Sequence, residues 1–531
     1  RRWPTDRLVA TPPLAVFGVD GARQTIRAES SSDPTIIWGD GQGLVSAASA
    51  GLLPRDGTIF YAATVRSSSH LLSLLSGRRP TLIVTDTNRK RAQRWGTTRE
   101  NDGATETASS VALVDDPKDT RLDLFPGQTT DDQSMAWYGD DVSDVRATSY
   151  GNIVAYSAEV RPVNAIDGDP RTAWTTGGYS EVVGDRIQID YTHPVTADHI
   201  DLLQTRGNRF ITRATVLLDG VATTTVDLTD ASFDGRGQTV DLGGVRTFER
   251  LEVRIDDANV HGLQNYVGWS NVGFREITVP GVSAEEWIVA PSAGLSDFGS
   301  TPATFLFTRL RANPIEAYRQ DPELALRRIF TVTTPEATTV SGSARLAARS
   351  DSAVIDRLLG RPGLAEGAPI VNGVRYLDGA LADRPSSAVD GDPRTAWVTP
   401  FGDQVGASFT LTAPAPFTTT SLDLSFYDDG LHSVPTALTL TTESGASATI
   451  DVPPTGTGTD GIRHARITVP ALTGRTLGVT VAGEREVTTK EYFGGGQHAF
   501  PIGIIDIGAP VTLAPVPTML PTTCRNDLVT I

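Results

Sequence analysis

Cysteine is almost missing from this chain. Its 531 residues hold one, Cys524, so neither an internal disulfide framework nor a cysteine-based metal site can form. The shortage suits a cytosolic protein and an exported bacterial one equally, and leaves the compartment open. Positive charge is also in deficit. The formal net charge is −17, which repels phosphate backbones and excludes nucleic acid as a natural partner. Lysine is scarce: Lys90, Lys118 and Lys490 are the only three among 46 basic residues. No run approaches the roughly 18 apolar residues of a membrane span.

Familiar catalytic signatures are lacking too. There is no Gly-x-Ser-x-Gly elbow and no His-Glu-x-x-His, and the seven histidines are scattered. Adjacent acids such as Asp131-Asp132 and Glu285-Glu286 read as solvated loop charge, since a glycosidase needs carboxylates facing each other across a cleft. Gly39-Asp40-Gly41-Gln42-Gly43 follows a strand-like run and opens a helix-like one. Its glycine spacing fits neither the dinucleotide nor the phosphate-loop pattern, so no nucleotide is expected. No catalytic residue is assigned.

What is plentiful is turn chemistry. The chain has 51 glycines and 33 prolines, and Thr and Val recur in short alternating runs, the profile of a turn-rich, mainly β protein. The expected fold class is mainly β with a smaller α/β part: two antiparallel β-sandwich modules and an N-terminal α/β domain. Residues 1–140 carry apolar runs at 35–39, 58–64 and 81–85, with helix-like segments between them and a basic, helix-like stretch at 88–95. Residues 141–281 form the first module and 329–512 the second. Between them, 282–328 reads as a helical connector, with helical spacing at 305–311 and 315–328. Residues 513–531 read as a tail or the start of a truncated further domain, and the whole as a piece of a longer protein.

One phrase occurs twice. Residues 164–175 read NAIDGDPRTAWT and 387–399 read SAVDGDPRTAWVT, so eight identical residues recur 223 positions apart. This is the mark of a duplicated domain. Asp-Gly-Asp-Pro is a tight turn, in which Gly supplies a positive φ, Asp bonds its own backbone and Pro fixes the next step. A carboxylate, main-chain carbonyls and a threonine hydroxyl on one such loop make an all-oxygen pocket suited to Ca²⁺. A metal-free turn with Asp groups capping backbone amides is the plainer alternative.

The phrase resembles the signature loop of the discoidin-like (coagulation factor V/VIII type C) sandwiches, which include carbohydrate-binding modules. That resemblance implies a jelly-roll fold and a structural Ca²⁺ in each module, held by the loop and an acid on the last strand. The matching acids are Glu276 and Asp506, 109 and 116 residues after Asp167 and Asp390. The implied ligands are Asn164, Asp167, Asp169, Thr172 and Glu276 in the first module. In the second they are Ser387, Asp390, Asp392, Thr395 and Asp506. Sugar binding needs aromatic faces and planar polar groups on an exposed surface. Candidates are Arg206, Asn208, Arg209, His261, Gln264, Asn265, Tyr266 and Trp269 in the first module, and Tyr427, His432, Tyr492, Phe493, Gln497 and His498 in the second. Any one of these aromatics could instead pack the end of a sandwich.

The stretches 85–95 (TDTNRKRAQRW), 305–311 (FLFTRLR) and 354–360 (VIDRLLG), in order with both loops, resemble the soluble extracytoplasmic part of the actinobacterial α-(1→3)-arabinofuranosyltransferase D family. The preference for arginine over lysine, a sign of GC-rich coding, agrees with such a source. The resemblance implies a non-catalytic, glycan-binding exterior portion of a membrane enzyme. That enzyme adds arabinofuranose from decaprenyl-phosphoryl arabinose to the arabinan of arabinogalactan and lipoarabinomannan. The implied partners are cell-wall arabinan and the parent membrane domain, on the extracytoplasmic face. Two other readings compete: a secreted glycoside hydrolase with two accessory modules, and a purely structural sandwich region.

Overall fold

The computed structural model describes residues 33–54, 57–94, 101–114, 119, 121, 123–151, 156–170, 172–176, 181–261, 269–308, 323, 325–333, 339–342, 350–377, 380–402, 404–454, 461–490 and 497–522. Most of the regular structure is β. Two sandwiches dominate, and a small parallel sheet precedes them.

The two sandwiches repeat one strand plan. In the first, the hydrogen-bonded order is Val221–Asp227, Ile211–Leu218, Gln238–Ala258, Arg186–Gln204, Val272–Thr278, Trp174–Thr176. In the second it is Ser447–Asp451, Val434–Thr441, Ile462–Arg485, Ser408–Tyr427, Gly503–Asp506, Trp397–Val398. Each has one further strand on its longest pair, Val142–Ala147 and Ile370–Asn372 respectively. The internal duplication read from the repeated phrase is therefore a duplication of topology.

The long strands serve both layers. Residues 187–191 pair with Val142–Ala147, whereas 201–204 pair with Val272–Thr278. Arg186–Gln204 thus leaves one sheet and enters the other. The crossing points coincide with residues that break a ladder. Pro194 lies in the first crossing strand, Gly243 and Gly244 lie where its partner shifts register, and Pro414 and Pro416 lie within the matching shift of the second module. Proline removes a ladder donor and glycine permits a sharp bend, so the chain corners there.

Each core is built around the tryptophan of the repeated phrase. Trp174 and Trp397 are fully buried. Their indole N–H groups donate to the carbonyls of Ser149 and Arg375, at 2.9 and 2.7 Å. Burial of so large a ring requires that donor to be satisfied. Gly273 pairs with Thr175 and Gly503 with Val398, the residue after each tryptophan. A Cβ on Gly273 would lie 1.9 Å from the Trp174 carbonyl oxygen, so the last strand can lie against the loop only because that position is bare.

The α/β part departs from its reading in two places. Thr35–Trp38, Ile59–Tyr61 and Thr81–Thr85 form a parallel sheet with helices Gly41–Ser49, Ala62–Arg66 and Ser69–Ser76. Its fourth strand is Ala303–Leu306, parallel to Thr81–Thr85. The run read as helical at 305–311 thus begins in a strand, and the segment read as a helical connector completes the first sheet. A short apolar run carries no periodicity long enough to separate helix from strand. Trp287–Val289 also pairs with Met135–Trp137 and Arg328–Ile329; most of 315–328 lies outside the described residues. The basic stretch at 88–95 is likewise no helix: Arg91–Gln93 is a strand paired with Asp102–Thr105.

Replacing Trp397 by alanine should cost the second sandwich about 3–5 kcal/mol. Denaturant unfolding should show that loss in one transition, with the first sandwich unmoved.

Candidate functional site

The Asp-Gly-Asp-Pro loops fold as their composition dictates. Gly168 and Gly391 sit at φ +74° and +71°, a left-handed turn that glycine adopts without strain. The leading aspartate bonds its own loop: Asp167 Oδ1 accepts from Asp169 N at 2.9 Å, and Asp390 Oδ1 from Asp392 N at 3.0 Å. Around the Thr172 hydroxyl gather Asp167 Oδ1 and Oδ2 (3.0 and 2.9 Å), the Asp169 carbonyl (2.9 Å) and the Asn164 carbonyl (3.3 Å). One hydroxyl proton cannot serve four oxygens, so this loop gathers more acceptors than it can satisfy. The Asn164 side chain points elsewhere, donating to the Glu159 carbonyl at 2.7 Å.

Glu276, on the last strand, reaches this loop. It is buried, accepts from the Gly168 amide, and feels the charge of Asp167. Its Oε1 is buried without a hydrogen-bond partner, as is the hydroxyl of Tyr191. Both residues line a cavity of about 130 Å³ with Asp167, Gly168 and Ser283. Burial, then the neighbouring Asp167, pushes the Glu276 carboxyl up to about 8; burial lifts Asp167 to about 6. A buried pair of acids that resists joint ionisation, with an orphaned oxygen and spare carbonyls, is what a hard cation would complete. Among the described residues no group of three or more His, Cys, Asp or Glu comes together as a metal cluster, here or elsewhere, so a cation at this loop would lean on main-chain carbonyls as well as the two acids.

The second loop shares the geometry but not the electrostatics. Thr395 Oγ1 donates among Asp390 Oδ1 (3.0 Å), Asp390 Oδ2 (3.2 Å) and the Asp392 carbonyl (3.0 Å). Asp506 lies near enough that burial, with Asp390's charge adding to it, raises its carboxyl. Its Oδ1 is already held by Gly508 N at 2.7 Å. Ser387 Oγ turns to the Ala382 carbonyl, 2.6 Å. Arg361 adds a guanidinium, with Nη2 3.3 Å from Asp390 Oδ2.

The loop ends read as sugar candidates divide. In the first sandwich Arg209 is 0 % exposed, so its guanidinium is not offered to a glycan; it lies within the field of Glu181 and Asp185. Asn208 is a brace, its Oδ1 accepting from Ser270 N and Oγ at 2.8 and 2.9 Å. Arg206 is exposed, paired with Asp234 at 3.1 Å and lying 5.0 Å over the Phe233 ring. His261 is exposed beside Asp257 (3.0 Å) and Trp269 is half-buried. Gln264, Asn265 and Tyr266 lie outside the described residues, as do Tyr492 and Phe493 of the second sandwich.

The second sandwich offers an aromatic end. His432 stacks on Tyr427, centroids 4.7 Å apart, and its Nδ1 is 3.0 Å from both Asp429 oxygens. Gly503 makes room for the pair, since a Cβ there would meet Tyr427 at 2.4 Å. Asp428, beside them, accepts from Arg463 and from Arg485 (2.7 Å). Ser433 N bonds the Pro501 carbonyl and Thr399 N the Ile502 carbonyl, so the loops at 399–402 and 427–433 flank one segment. Phe401 stands on the first of these, 56 % exposed and 6.0 Å from Phe500. The hairpin carrying Gln497 and His498 joins it through Gly402 N to the Ala499 carbonyl, 3.1 Å. Sequence reasoning missed Phe401, Phe500, Arg463 and Arg485; the aromatic four residues past Trp397 was the available signal.

No protein-family model matches this chain. Among curated proteins it is 25 % identical over 357 residues to an α-(1→3)-arabinofuranosyltransferase of Mycolicibacterium smegmatis, covering 63 % of this chain and 24 % of that one. It is 24 % identical over 390 residues to that of Mycobacterium tuberculosis, covering 69 % and 26 %. The chain is homologous to part of the mycobacterial α-(1→3)-arabinofuranosyltransferases. It spans about a quarter of the length of these curated relatives. Among solved structures, the cryo-EM structure of the mycobacterial arabinofuranosyltransferase AftD aligns over 91 % of this chain and 36 % of its own, with a TM-score of 0.46 and 15 % identity. The CBM32-1 and CBM32-2 domains of Clostridium perfringens ZmpB align over 68 % and 92 %, with a TM-score of 0.21 and 12 % identity.

At the parallel sheet, the described residues at the strand ends engage one another. Ligands of such sheets sit at the carboxyl ends of the strands. Here Gly39 and Gly43 pack against the hydroxyls of Thr85 and Thr87. Asp86 is consumed by Arg89 (3.2 Å), Arg328 (2.5 Å) and Thr308 N (3.0 Å). No helix among the described residues is long and apolar enough to cross a membrane.

Without metal, Asp167 and Glu276 titrate far above their ordinary values of 3.8 and 4.5. The folded chain then keeps protons that the unfolded chain has released, so stability falls as pH rises from about 4 through the folded values. In chelator, the melting temperature of the first sandwich should drop steadily from roughly pH 5 to pH 8, and calcium should remove that slope. A flat profile in chelator would contradict the buried-pair geometry.

Proposed function

We propose that this chain is a non-catalytic, glycan-engaging portion of an arabinofuranosyltransferase-like protein, whose sandwiches hold arabinan near a catalytic centre supplied by the rest of that protein. The observation that carries this reading is the sequence homology with the mycobacterial α-(1→3)-arabinofuranosyltransferases over more than 350 residues. The polymers would be those of the cell wall, arabinogalactan and lipoarabinomannan, with decaprenyl-phosphoryl arabinose as the parent's donor. The chain would lie on the extracytoplasmic face. The second sandwich supports the glycan part, because Phe401 and Phe500 offer faces for sugar C–H groups while His432 and Arg485 provide directed donors beside them.

Calcium belongs to this reading as a brace. In the first sandwich Asp167, Thr172 and Glu276, with the carbonyls of Asn164 and Asp169, would hold it, and it would supply the charge that the two acids lack. The chain's own part is to bind the ion between loop and last strand and so fix the end of the sandwich.

Single sites of this open kind bind sugars weakly, and two on one chain gain by effective concentration. Arabinofuranoside oligomers should shift NMR resonances of this chain at roughly millimolar concentration. Phe401→Ala and His432→Ala should each weaken that binding several-fold, and mannan oligomers should leave the spectrum unchanged. Unmoved spectra with every arabinofuranoside would favour the structural reading; release of sugar from arabinogalactan by the purified chain would favour a hydrolase.

A further inference from the structure

The two repeated loops are identical over eight residues, yet charge is balanced differently around them. In the first sandwich two carboxylates meet at the loop, Asp167 and Glu276; a third acid, Glu286, reaches the arginine that precedes the loop. One guanidinium, Arg161, is spent on Glu286, with Nε 3.2 Å from Oε1. Among the described residues only Asp169 N and Thr172 Oγ1 bond the Asp167 carboxylate. Among the described residues no guanidinium bonds this pair directly, and Arg161 and Arg275 act on it only at longer range.

In the second sandwich the three carboxylates are Asp390, Asp506 and Asp356, and there are two guanidiniums. Arg384, which precedes its loop's proline as Arg161 does, bonds Asp356 Oδ1 through Nη2 at 2.6 Å. The other is Arg361, with no counterpart among the described residues of the first sandwich. It follows the helix Ser352–Leu358 and a left-handed Gly360, and is 6 % exposed. Its Nη1 lies 3.1 Å from Asp356 Oδ1 and its Nη2 3.3 Å from Asp390 Oδ2. Both terminal nitrogens of this buried guanidinium are thus ion-paired, although its Nε has no partner among the described residues. A divalent cation in the same place would sit against it at a like-charge distance of a few Å.

We infer that the second sandwich carries its cation as a side chain: Arg361 stands where calcium stands in the first, so the chain holds one calcium ion, between Asp167 and Glu276. This rests on the calcium reading proposed above. Two further differences agree with it. Asp506 is one methylene shorter than Glu276 and has Oδ1 tied to Gly508 N, while Glu276 Oε1 is orphaned. The helix that delivers Arg361 is an insertion that the first sandwich lacks at that place among the described residues.

Calcium titration of the full chain, stripped with chelator and followed by calorimetry, tests this directly. Wild type should take up one equivalent. Asp167→Asn should abolish uptake, and Asp390→Asn should leave it at one. If circular dichroism shows Asp390→Asn unfolded, Asp506→Asn makes the same comparison. Two equivalents in wild type, or one that survives Asp167→Asn, would overturn the inference and leave a calcium site standing. No uptake by folded wild type would overturn the calcium reading itself, and the inference with it.

Discussion

The end of each sandwich is closed by a meeting of acids. A turn aspartate and an acid on the last strand are brought together by the fold, in a place with little water to separate their charges. Like charges so placed are costly unless one is protonated or a cation intervenes. Everything near them answers to that constraint: the bare glycine that lets the last strand approach, the tryptophan that fixes the loop's exit, and the threonine that draws carbonyls inward. The two modules meet the same demand by different means, one leaving room for an ion and the other importing an arginine.

That difference gives the duplication its meaning. Matching strand orders and a shared eight-residue loop mark a common plan, and the departures lie where function and stability are decided. The second sandwich has acquired a helix, a buried ion-pair chain and an aromatic loop end. The first has kept its carboxylate pair and braced its own loop end through Asn208. One module then keeps an unpaired acid beside its loop, and the other pairs its loop aspartate with a buried arginine. The parallel sheet has turned its usual ligand end into an internal joint, where Asp86, Arg89, Glu323 and Arg328 neutralise one another.

The repeated phrase made the sandwiches legible. Its turn chemistry could be read from residue types and order, because a tight turn is a local demand with few solutions, whereas the distant acid came only with the resemblance to discoidin-like loops. Other features were not local. Phe305 and its neighbours read as helix, since four strand residues leave no period to measure, and only the partner 220 positions earlier makes them a strand. Arg209 read as a surface group because arginine usually is one, and burial is set by the fold around it. Arg361 escaped notice for a related reason. It lies 29 residues before the aspartate it neutralises, and no pattern in the chain joins the two.

The account stands or falls on what lies between Asp167 and Glu276. A crystal of the chain grown with a lanthanide in place of calcium, and measured at the lanthanide absorption edge, would show it by anomalous scattering. The account predicts a strong peak bounded by the Asp167 and Glu276 carboxylates and the Asn164 and Asp169 carbonyls, with the Arg361 guanidinium at the corresponding place in the second sandwich. A map with no peak at the first loop, or with Glu276 turned away from it, would contradict it.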